Sequence, residues 1–169
     1  SAPDEQERQA QVRNWRRLLQ IANDLECPVV NSELSGDPTR PLQSEHAFYR
    51  SMEELIPDFE RYGIGLNLEA HPYDFSETND DAVQIVRGLN KPWVNYVFCA
   101  PHAFHLSDGA GDVRRMMTYA GAKLQHVHVA AGGQAAARAT SRRGTTSDGA
   151  PVAGMTSIVS RSSAIAAYP

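Results

Sequence analysis

Apolar residues along this chain recur with two different periods, and the two alternate. Over residues 5–25, Trp15, Leu18, Leu19, Ala22 and Leu25 fall at helical spacing with Arg13, Arg16 and Arg17 between them. That spacing predicts an amphipathic helix, stopped by Pro28. VVNSELSG follows, a β-branched run closed by Gly36, which reads as a strand and a loop. DPTRP is loop by its prolines. Residues 44–62 return to the helical period through Phe48, Met52, Leu55, Ile56 and Phe59, with Ser44 as the predicted N-cap and Gly63 as the C-cap. IGLNLEAHP is a second strand, ended by Pro72. The loop YDFSETND leads to a helix near 79–89, which breaks before Pro92, and WVNYVFCAPH is a third strand. The loop LSDGAGD precedes a helix near 110–122, and LQHVHVA is a fourth strand.

Strands that alternate with helices of this length predict βαβ units and a parallel sheet. The expected class is α/β: a partial (β/α)8 TIM barrel of about four βα units, or a small open sheet, with an irregular C-terminal tail. A whole barrel of this kind typically takes about 250 residues, and the chain has 169. Part of a barrel leaves unpaired strand edges, so homodimerisation through those edges is expected. After Ala130 the pattern stops. Residues 1–130 are predicted to form the barrel part. Residues 131–169, rich in Ala, Ser, Gly, Thr and Arg, form a low-complexity segment that is disordered or foreign to the fold. Translation of the other two reading frames from codon 130 tests whether a frameshift produced it.

Charge divides at the same place. Residues 1–129 hold 12 Lys and Arg against 19 Asp and Glu, a balance of −7, whereas residues 130–169 hold four against one, a balance of +3. The acidic part favours neither nucleic acid nor an anionic membrane as a partner. No apolar run approaches the roughly 20 residues of a membrane helix, and SAPDEQERQAQ has no apolar signal core. Two cysteines, Cys27 and Cys99, give no disulfide framework. A reducing, cytoplasmic setting is expected.

The strand ends concentrate the chemistry. Side chains alternate along a strand, so Ile64, Leu66, Leu68 and Ala70 share one face while Asn67, Glu69 and His71 share the other. The apolar face suits covering helices, which turns the polar face inward with Glu69 and His71 at its C-terminal end. The first strand ends in Asn31 and Glu33 on one face, the third in Cys99-Ala-Pro-His102 with His105 three residues on. The fourth places His126 and His128 together, opposite Val127 and Val129. Sites of α/β barrels and open α/β sheets form at the C-terminal ends of their strands. Carboxylate with imidazole suits Mn²⁺, Zn²⁺, Co²⁺ or Fe²⁺ better than Ca²⁺. A loop or supporting place explains His105 and His126, and Cys99 reads as a small buried hydrophobe.

LEAHP, then FCAPHAFHL, then HVHVA, in that order, resemble the sugar-phosphate isomerase/epimerase family with the xylose-isomerase-like barrel. That family includes inosose dehydratases and isomerases and ketose 3-epimerases. The resemblance covers about residues 10–130. It implies a divalent metal (Mn, Co, Zn or Mg) held by a Glu, an Asp, a His and a second Glu. Glu69 matches the first Glu and His128 the His. The D-x-x-H element falls on Cys99 to His102, so Cys stands where the family has its Asp, and the segment after HVHVA contains no Glu. The implied chemistry is proton transfer next to a carbonyl through an enediolate. Glu69 and His102 are then catalytic and Glu69 and His128 bind the metal. Glu33, His71, His102 and Glu77 contact a sugar, sugar phosphate or inosose. A non-catalytic remnant acting through association is the alternative. A metal-dependent DNA-repair nuclease of the same superfamily fits the −7 balance less well.

Overall fold

The computed structural model describes residues 1–129. The tail expected over 131–169 lies outside the described residues. Helix α1 (Glu5–Asp24) leads to β1 (Val29–Glu33), α2 (Pro41–Tyr62), β2 (Gly65–Glu69), α3 (Asn79–Gly88) and β3 (Val94–Cys99). Two short helices follow, α4 (Ala100–Leu106) and α5 (Val113–Ala120), then a 3₁₀ turn (Gly121–Lys123) and β4 (Leu124–His128). The four strands form one parallel sheet in the order β1-β2-β3-β4. The expected α/β architecture with four βα-type units is therefore present. None of the described helices is long and apolar enough to cross a membrane.

Three local expectations change. Helix α2 begins at Pro41, not Ser44, because proline in the first turn loses no hydrogen bond and its φ suits a helix. Ser44 sits inside the helix, fully buried, where its Oγ accepts the Asp37 N–H at 2.9 Å. The third strand ends at Cys99; Ala-Pro-His turns at once into α4, again with proline in the first turn. The helix expected over 110–122 is shorter, starting where the Asp112 side chain accepts the Arg115 N–H at 2.9 Å. Helix α1 is likewise capped by Asp4, and α3 by Thr78.

Helices cover the face formed by Leu66, Leu68, Val94, Tyr96 and Phe98, all buried, with Phe48, Met52, Leu55 and Phe59 of α2 and Val83 and Val86 of α3 in the same core. Helix α1 is tied to α2 by Arg8, 2% exposed, which binds Glu54 at 2.7 Å and Glu5 at 2.8 Å. Phe59 stacks on Trp93 at 5.1 Å between centroids and meets Trp15 of α1 at 5.9 Å.

Gly63 ends α2 as expected, at φ 64°, with its N–H returned to the carbonyls of Glu60 and Phe59. A Cβ there would meet nothing within 4 Å, so the cost of Gly63→Ala is the left-handed backbone alone. The variant should lose about 1 kcal/mol in chemical denaturation. An unchanged midpoint would mean that the cap conformation does not depend on glycine.

Candidate metal centre

Adjacent strands in a parallel sheet carry paired residues on the same side, so the register lays out the inner face row by row. Asn31, Asn67 and Asn95 form one row, and Asn67 Nδ2 donates to Asn31 Oδ1 at 3.0 Å. The next row is Glu33, Glu69, Val97 and His126, and beyond it Cys99 pairs with His128. An irregularity in β4 makes the last part possible. Leu124 pairs with Tyr96 on the helix-covered face, but the next match is His126 with Val97, which leaves Gln125 over. Without that extra residue His126 would pair with Phe98 and point to the helices. A bulge re-aims side chains in this way, and here it sends both histidines inward.

Glu69 is the centre of the rim, 6% exposed. Its Oε1 lies 2.9 Å from His102 Nδ1, and its Oε2 lies 2.8 Å from His128 Nδ1. Burial pushes the carboxyl up, but His102, the Cys99 thiol and His128 outweigh it and hold Glu69 below its ordinary value. His102 Nδ1 is sealed from solvent and yet has no hydrogen-bond partner. Its charged neighbour is Glu69 Oε1, at 2.9 Å. Buried polar atoms are normally bonded. A buried carboxylate with imidazole nitrogens at 2.8 and 2.9 Å is a donor set that a divalent cation fits.

Ligand atoms of Glu69, Cys99 and His102 all lie within 4.8 Å of one another. Cys99 is buried, as the sequence suggested, and its Sγ also borders the polar rim. Burial, then the Glu69 charge, pushes its thiol far up, and burial also lowers His126, with His128 adding to the effect. A second group within the same limit is Glu33, His71 and Asp74. His71 Nδ1 lies 3.1 Å from Asp74 Oδ2, and its Nε2 lies 3.6 Å from Glu33 Oε1. Asp74 is held by the Gly36 N–H at 3.1 Å and the Ser35 hydroxyl at 3.3 Å. The two groups touch where the His71 and His102 rings meet edge to face, 4.6 Å between centroids.

Of the residues singled out in the sequence, Glu33, Glu69, His71, His102 and His128 gather on this rim. Glu77 turns back into its own loop, where its Oε1 accepts the Tyr73 N–H at 2.6 Å. His105 pairs with the Tyr73 hydroxyl at 3.1 Å, away from Glu69. Asp74 was not read as a site residue; it lies in a loop, and no strand alternation marks it. A cavity of about 190 Å³ opens beside Glu77, Cys99 and His102. A larger one, about 630 Å³, lies mainly under α1 and α2 and reaches the rim only at Glu33 and Asp74.

A family model described as Xylose isomerase-like TIM barrel matches residues 1–162. Among solved structures, D-psicose 3-epimerase in the presence of D-fructose superposes with a TM-score of 0.64 at 16% identity, covering 79% of this chain and 47% of that one. AP endonuclease, family 2, from Brucella melitensis gives 0.59 at 23%, covering 73% and 48%. The IOLI protein with a binding zinc atom gives 0.53 at 19%, covering 67% and 43%. At these identities the likeness is one of fold, and the chain spans about half the length of the structures it matches. No curated protein matches the chain.

Proposed function

The chain belongs to the xylose isomerase-like TIM-barrel family, and from that premise we propose that its rim serves metal-assisted proton transfer next to the carbonyl of a small sugar or inosose. The observation that carries the reading is the buried Glu69 carboxylate flanked by two imidazole nitrogens at 2.8 and 2.9 Å. Glu69 and His128 would hold a divalent ion, with Cys99 and His102 beside them. Such an ion supplies a Lewis acid that polarises a substrate carbonyl. His102 turns Nδ1 towards Glu69, which leaves Nε2 for a substrate oxygen. Glu33, 42% exposed at the side chain, stands next to Glu69 in the sheet and would accept or return a proton. Glu77 contributes by holding the loop around Tyr73.

Proton transfer can be detected without net turnover. Metal-supplemented full-length chain, incubated with D-psicose, D-fructose or an inosose in heavy water, should place deuterium on the carbon beside the carbonyl, and His102→Ala should lose most of that exchange. A general acid–base group of this kind is worth about 10²–10⁴-fold. The second reading is a non-catalytic protein that acts through association, and a folded, metal-loaded protein with no exchange would select it. Incision of an abasic-site duplex in place of sugar exchange would instead favour a nuclease, the reading to which the AP endonuclease likeness points.

A further inference from the structure

One donor on the rim differs in kind from the others. Cys99 closes β3, 5% exposed, with its Sγ within 4.8 Å of ligand atoms of Glu69 and His102 and with His128 as its register partner. Buried cysteines in apolar surroundings are inert packing residues. Cys99 instead faces a buried carboxylate and the imidazole of His102. With a cation the same three groups supply sulfur, oxygen and nitrogen to one point. Thiolate is a soft donor. It binds Zn²⁺ and Co²⁺ well and contributes little to Mg²⁺ or Mn²⁺, which favour oxygen.

We propose that Cys99 is a thiolate ligand, and that it makes this centre take a thiophilic divalent ion, Zn²⁺ or Co²⁺, in preference to Mg²⁺ or Mn²⁺. The inference rests on the metal centre proposed above and sets its ion preference. Binding breaks the S–H bond, forms a sulfur–metal bond and releases the proton to solvent.

Co²⁺ titration of the full chain, followed by absorption, tests it. The expected spectrum has visible ligand-field bands together with an intense near-ultraviolet sulfur-to-cobalt charge-transfer band. Cys27→Ser should keep that band, because Cys27, the other cysteine, is exposed and precedes β1 at the opposite end of the strands. Cys99→Ser should lose it and keep the visible bands. Cys99→Asp, an oxygen donor in the same place, should shift the ratio of Zn²⁺ to Mn²⁺ affinity towards Mn²⁺. Visible bands in the wild type without charge transfer would overturn the thiolate while leaving the metal centre in place. No cobalt bands at all in the folded chain would overturn both. Because the wild-type spectrum alone separates these results, a variant that fails to fold does not remove the test.

Discussion

Glu69→Gln is expected to lower the affinity for Co²⁺ or Zn²⁺ by at least about 100-fold. Changes to groups that merely support a ligand already cost 10–100-fold, and Glu69 is the carboxylate that both His102 and His128 contact. Glutamine keeps the shape but removes the charge that attracts the ion, and it turns one oxygen into a donor. The stability of the protein separates this effect from misfolding. At a metal concentration about 100 times Kd, the wild type should gain about 2.7 kcal/mol from binding; the variant should gain almost none. Without metal the variant should still fold at neutral pH, losing only what the Glu69 charge contributes through His102 and His128. Acid should distinguish them. Glu69 has its carboxyl held below the ordinary 4.5, so its ionisation stabilises the fold above that value and the contribution is lost as pH falls through the folded pKa. The Gln variant should lack that part of the acid-side loss. Wild-type metal affinity in Glu69→Gln would remove Glu69 from the centre and with it the proposed chemistry.

Much of this rim was legible because strand alternation is local. Once IGLNLEAHP is a strand, Glu69 must share a face with Asn67, and HVHVA must place His126 and His128 together. What sequence alone does not give is lateral register. Whether Cys99 lies beside Glu69 depends on how β3 slides against β2, and the pairing of Leu66 with Val94 fixes it. The thiol therefore read as a hydrophobe and became a rim group only in three dimensions. The irregularity at Gln125, which turns His126 and His128 to the side of Glu69, has no mark in the alternation of HVHVA. Asp74 and the α4 helix escaped for a different reason. Both follow strand ends where proline stops one pattern, and the next element is too short for a period to show. His105, three residues beyond His102 in sequence, was drawn off by Tyr73 across the loop, a contact that no spacing rule contains.

Phe59→Ala is expected to cost about 3–5 kcal/mol of stability, the range for a large buried aromatic truncated in a core. A natural domain holds only about 5–15 kcal/mol in total, so the variant should lie near the edge of folding. Phe59 is 1% exposed and joins three parts of the chain. It sits on α2, stacks on Trp93 just before β3, and meets Trp15 on α1. The Trp93 carbonyl in turn accepts the Leu66 N–H at 3.0 Å, so this aromatic group reaches the first pairing of β2 with β3. Removing the ring leaves a cavity that two tryptophans, each held by its own element, cannot both move to fill. The measurement is urea denaturation followed by circular dichroism; a loss below about 1 kcal/mol would show that the stack does not join the layers. Trp93, just before β3, and Cys99, its last residue, lie roughly 20 Å apart at 3.3 Å per residue. Sites that far apart contribute additively. Phe59→Ala should therefore lower the unfolding midpoint while its folded fraction keeps the cobalt spectrum, and Glu69→Gln should do the reverse. If Phe59→Ala also altered the spectrum, the rim would be set by the helix layer and not by the sheet register alone.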